Sequence, residues 1–176
     1  MKHYNLRNQQ QFNGMFTDLF VLGTNRAANN TTDFTAAALT QSYNLLALNK
    51  GDVIGFPLCQ AWLKRSFTDA AAGGAPVTLA NLKLDVGNTA AGATAVIAGT
   101  NGDLIQTLSP VPDSNQYPIT PPVAAAAPIR ITAASGQFLT AALTSTAGNI
   151  STITFGEVWI FATIFRAADW MRDRDL

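Results

Sequence analysis

Gly156-Glu157-Val158-Trp159-Ile160-Phe161-Ala162-Thr163-Ile164-Phe165-Arg166 is the stretch on which the fold turns. Val158, Ile160, Ala162 and Ile164 share one parity, and Trp159, Phe161, Thr163 and Phe165 share the other. Side chains alternate across a strand with a period of two, so this pattern predicts a β-strand that is apolar on both faces. A strand with one wetted face would not place three aromatics there, because burying each gains about 2 kcal/mol or more. One face is therefore expected in the core and the other against a neighbouring subunit or segment, which nominates Trp159, Phe161 and Phe165 as an oligomer interface. The alternative is a two-layer sandwich with both faces inside and the N-terminal segment folded over the outside.

Composition agrees with strands. Of 176 residues only 12% are charged, about half the roughly 25% usual for a soluble domain. Ala (29), Thr (20) and Asn (13) are abundant, whereas there is one Glu and there are four Lys, so the residues that usually cover exposed helices are scarce. Eleven basic side chains balance eleven acidic ones, so no global field draws in nucleic acid or an anionic membrane. The first eleven residues are too polar for a secretory signal. The longest apolar run, 158–165, is far below the roughly 18 residues of a membrane span.

Outward from the last strand, short β-type runs at 15–22, 34–39 and 43–48 are separated by Gly, Asn and Thr clusters with turn chemistry. Residues 53–67 read as a long central strand opened by Gly51-Asp52, with Pro57 marking a bulge or an edge. In 77–86 the apolar phase slips near Ala80-Asn81, the signature of a β-bulge. Val96-Ile97 fits a short helix or strand, and 103–108 a short strand. Six of the eight prolines fall in 109–128, a loop long enough to suggest a functional or packed role. Strands at 129–132, 137–144 and 152–155 precede the final one. The expected organisation is an N-terminal arm over 1–14, an antiparallel all-β sandwich of jelly-roll type over 15–166, and a charged C-terminal extension over 167–176.

Chemistry is sparse. His3, the single histidine, lies in the expected arm, so neither a histidine metal cluster nor a nucleophilic triad can be assembled in the body. Glu157 and Asp52 each follow a glycine at the start of a strand and read as solvated turn acids rather than a catalytic pair. The glycine pairs lack the lysine and spacing of a phosphate loop. Cys59 reads as a small buried side chain. No cofactor, metal or enzymatic activity is expected.

The order of segments carries a resemblance. Gly51-Asp52-Val53-Ile54 runs to Lys64-Arg65-Ser66-Phe67; a Gly-rich gap leads to a strand ending Val86-Gly87-Asn88; then come Gly102-Asp103-Leu104-Ile105, the Pro-rich loop and Gly156 through Phe161. Over residues 40–166 this resembles the jelly-roll decoration, or cement, proteins and minor structural proteins of tailed bacteriophages. The resemblance implies a virion protein assembled in the host cytoplasm, sitting as an oligomer, a trimer, on the outer capsid surface and clamping the major capsid protein. No direct nucleic-acid or membrane partner follows from it. Tyr4, Arg7 and Phe12 in the arm and Trp170, Arg172 and Arg174 in the tail are then the expected capsid contacts, chosen by chain position. The competing expectation is a receptor- or carbohydrate-binding head of a tail fibre, with loop 109–128 and exposed Trp and Tyr residues forming its site.

Overall fold

Eleven strands and one 3-10 turn (Ile150–Thr152) make up the regular structure of the computed structural model, which describes residues 1–5, 18–23, 33–54, 59–69, 82–88, 95–97, 117–118, 129–132 and 136–166. The strands are β1 (Lys2–Asn5), β2 (Asp18–Gly23), β3 (Thr40–Leu48), β4 (Val53–Ile54), β5 (Cys59–Asp69), β6 (Leu82–Gly87), β7 (Ala95–Ile97), β8 (Tyr117–Pro118), β9 (Ile129–Arg130), β10 (Gln137–Ser145) and β11 (Ile153–Ala162). All pairings are antiparallel. The chain is an all-β protein.

A five-stranded sheet runs β1-β2-β11-β5-β8, a four-stranded sheet runs β3-β10-β6-β7, and β4 pairs with β9. Alternation decides which face each strand buries. Phe20 and Leu22 of β2, Ala61 and Leu63 of β5 and Val158 and Ile160 of β11 are almost fully buried, as are Leu82, Leu84 and Val86 of β6 and Leu139, Ala141 and Leu143 of β10. These residues of both sheets belong to one hydrophobic cluster. Thr140 and Ala142 on the other parity of β10, and Asp85 beside Ala142, are buried too, so the middle of the four-stranded sheet is covered on both faces.

Two aspartates tie the sheets at their margins. Asp33 takes the Met1 ammonium and the Gly23 N–H on its carboxylate, while its carbonyl accepts Gln41 Nε2 at 2.6 Å and Tyr43 Oη at 2.9 Å. It thereby links β1 and β2 to β3. Asp52, 1% exposed, accepts Asn49 N–H at 2.8 Å and Arg166 Nη1 at 2.6 Å on one carboxylate oxygen. Its carbonyl accepts Ile131 N–H, and the adjacent Val53 exchanges backbone bonds with Phe165. Arg166 Nη1 also donates to the Ala47 carbonyl.

Several expectations are corrected here. Asp52 is not a solvated turn acid but the buried anion that joins three segments. Residues 34–39 form no ladder, because the Ala36, Ala38 and Leu39 carbonyls accept the N–H groups of Ser151, Ile150 and Ser145, while Phe34 is buried and meets Phe67 at 5.2 Å between ring centroids. Residues 152–155 and 156–166 are not two strands: β11 runs through Gly156 with register slips on either side. At the N-terminus, where an arm was expected, Lys2–Asn5 is a strand on the edge of the five-stranded sheet. His3 there stacks on Phe20 at 4.5 Å and bonds Asp18 through Nε2 at 2.8 Å. Residues 6–14, Pro57, the slip at Ala80-Asn81, the strand at 103–108, most of loop 109–128 and the tail 167–176 lie outside the described residues.

Gly156 sits at φ +145° in the slip of β11, and a Cβ there would come within 2.2 Å of Cδ1 of the Phe67 ring. Overpacking and a backbone conformation hostile to L side chains both oppose a substitution. Gly156→Ala is expected to cost about 3 kcal/mol in urea unfolding; a loss below about 1 kcal/mol would show that the ring gives way freely. Removing one partner of a buried ion pair strands the other charge. Arg166→Met takes the guanidinium away from Asp52, and since the arginine keeps 20% of its side chain in water, the expected loss is about 2–3 kcal/mol. Stability unchanged in this variant would remove the ion pair from any role in closing the fold.

Candidate interaction face

The parity that buries Phe20, Ile160 and Ala61 turns their neighbours outward. Two rows then cross the five-stranded sheet at right angles to its strands. One runs Tyr4, Leu19, Phe161, Gln60, and the other Lys2, Val21, Trp159, Trp62, each residue directly opposite the next in register. Cross-strand neighbours on one face are about 5 Å apart, close enough for aromatic and branched side chains to pack. The rings of Trp159 and Phe161 meet edge to face at 6.2 Å, the arrangement that the ring quadrupole favours.

Polar groups rim this surface. Trp159 Nε1 donates to Glu157 Oε1 at 2.6 Å, Trp62 Nε1 donates to Gln60 Oε1 at 3.4 Å, and Lys64 Nζ lies 5.4 Å from the centre of the Trp159 ring, a cation–π contact. Both indole N–H groups are thus occupied within the chain, and what the tryptophans offer is ring surface. Such a face suits stacking and apolar docking. No group of three or more His, Cys, Asp or Glu side chains close enough to hold a metal ion occurs among the described residues.

The structure brings together residues nominated on separate grounds. Tyr4, chosen as a capsid contact, is 43% exposed and shares the face with Trp159 and Phe161, chosen as an oligomer interface. Trp159 is half-buried, whereas Phe161, flanked by Leu19, Gln60 and Trp159, is only 7% exposed and offers little surface to a partner. Phe165 lies apart: it follows the end of β11, pairs with Val53, and is 51% exposed. Arg7, Phe12, Trp170, Arg172 and Arg174 lie outside the described residues. Leu19, Val21 and Trp62 were missed as members of the face. The signal for Trp62 was present in Gln60-Ala61-Trp62-Leu63-Lys64, where polar, aromatic and basic side chains alternate with Ala and Leu.

Burial holds back the ionisation of Cys59 and Tyr43. Cys59, facing the core from β5, has its thiol pKa pushed up to about 12 by loss of water, which keeps it protonated and unreactive at neutral pH. Tyr43 is also raised above 10, first by burial and then by the Asp33 charge. No helix among the described residues is long and apolar enough to cross a membrane. Comparison of the chain with protein-family models, curated proteins and solved structures found no match.

The two raised values set a sign for alkaline stability. The unfolded thiol releases its proton near 9.0 and the folded one near 12, so above pH 9 the native state binds more protons and stability falls as pH rises. The slope from Cys59 reaches about 1.4 kcal/mol per pH unit between the two values, and Tyr43 adds the same sign above pH 10. Cys59→Ala is expected to flatten the decline in urea midpoint between about pH 8 and pH 10. Equal declines in the two proteins would mean the thiol ionises without unfolding the chain.

Proposed function

We propose that this chain is a jelly-roll structural protein of a virus particle, a decoration or cement protein that docks on the outer surface of a capsid lattice through the face of its five-stranded sheet. Support for the roll comes from strand order. With β1, β4 and β9 set aside, the remaining eight strands pair outermost with outermost: β2 with β11, β3 with β10, β5 with β8 and β6 with β7. A long antiparallel hairpin rolled onto itself has this pairing, and the resulting two-sheet roll is frequent in viral capsid proteins and lectins. A fold alone does not assign a role.

The observation that carries the functional reading is the apolar, tryptophan-bearing face on a protein with few charges. On this face Tyr4 is exposed and Trp62 and Trp159 are half-buried; apolar faces left partly in water can dock a partner, and aromatic anchors ringed by polar groups supply most of the energy of such contacts. Copies that self-associate would add avidity, since each further contact after the first is intramolecular. The major capsid protein is the proposed partner. The Trp62 and Trp159 rings also favour a second reading, a glycan-binding head, because sugars stack on flat aromatic surfaces.

Co-sedimentation with capsids that lack the protein separates the two. Wild-type chain is expected to bind and to raise the temperature at which the capsids open, and folded Trp62→Asp and Trp159→Asp variants to bind at least about tenfold more weakly. Failure of the wild type to bind capsids, with retained binding to host cells or glycans, would replace the lattice role by the head.

A further inference from the structure

Sheet edges expose unpaired N–H and C=O groups, and proteins guard them with charge, proline or brevity. Three of the four edges of the two main sheets carry such guards among the described residues. Strand β1 is four residues long and bears Lys2 and His3, β7 has three residues, and β8 has two, one of them Pro118. The fourth edge, β3, runs for nine residues, Thr-Gln-Ser-Tyr-Asn-Leu-Leu-Ala-Leu, without a charge or a proline.

Apart from its ladder with β10, β3 is engaged among the described residues through the Thr40, Gln41 and Tyr43 side chains and the Ala47 carbonyl. The register slips opposite Leu139 and Thr140, leaving Leu45 as the extra residue, so 40–44 is an uninterrupted extended run. Ser42 and Asn44 within it are exposed.

The geometry points to this edge as a pairing site for a second copy of the chain, β3 against β3, antiparallel about a two-fold axis, joining two four-stranded sheets into one of eight. Antiparallel pairing of a strand with itself is self-complementary, as a two-fold contact must be, and it supplies partners to both backbones at once. Charge selects the occupant. The uncharged run 40–44 meets its own copy without repulsion, and two chains of zero net charge approach freely, whereas a charged partner strand would find no opposite charge along it, the Arg166 guanidinium being bonded further on, at Ala47. This contact yields dimers, where the resemblance implied trimers. It lies on a different sheet from the Trp62 and Trp159 face and does not rest on the capsid reading.

Sedimentation velocity on the full chain over about 1 to 100 μM tests it. The wild type is expected to reach the dimer mass, and Asn44→Lys and Ser42→Lys, each changing an exposed side chain, to stay monomeric with unchanged circular dichroism and thermal midpoint. Amide exchange in 40–44 is expected to slow as the wild type dimerises. A wild type monomeric throughout, or a dimer untouched by either lysine, overturns the proposal. Loss of the dimer in Trp159→Asp but not in the lysine variants assigns self-association to the sheet face instead, and pairing of 40–44 with capsid protein alone would make the lattice the occupant. Capsid binding, read separately with the tryptophan variants, stands or falls independently of these outcomes.

Discussion

Without β11 the five-stranded sheet falls into two pieces, β1-β2 on one side and β5-β8 on the other. Among the described residues this strand alone pairs with both, and its inward side chains Val158 and Ile160 complete the cluster begun by Phe20, Leu22, Ala61 and Leu63. Its position has a topological consequence. The last of the described strands inserts between strands from the first seventy residues, so the core cannot form until distant segments have met. Such non-local pairing makes folding slow, because loop-closure entropy must be overcome before the contacts form.

The margins are then secured by charge rather than by apolar burial. Asp33 and Asp52 each gather a backbone N–H and a cation on one carboxylate, Gly23 with the Met1 ammonium and Asn49 with Arg166. A carboxylate can accept several bonds at once, which lets one side chain satisfy groups that no ladder reaches. Gly156 shows the same economy in packing: the absence of a side chain makes room for the Phe67 ring, and β11 slips in register at that point. What remains for function is the face that the core does not use and the edge that no strand covers among the described residues.

Much of this was legible in the residues themselves. The alternation in 158–165 located β11 and sorted its side chains into an inward and an outward set, and Leu82, Leu84 and Val86 likewise identified the buried side of β6. The same reading failed where bonding partners are remote. Residues 34–39 have a strand's composition, yet their carbonyls bond to 145–151. Gly156 looked like the start of a strand because glycine usually ends one, and the ring that occupies its missing side chain lies 89 positions earlier. Gly51-Asp52 looked like a wet turn because Arg166 is 114 residues away.

Local pattern therefore determined that the chain is built of strands and sorted the side chains of β11 into two apolar sets, the aromatic one facing away from the core. Only the tertiary structure decided that Tyr4, Leu19, Val21, Trp62 and Trp159 share one surface, that Phe161 is largely spent inside it, and that β3 is left at an edge. The division follows from the physics of sheets. Alternation is a property of one strand and is written in consecutive residues, whereas the neighbour of a strand is chosen by hydrogen bonds between backbones that are chemically alike everywhere.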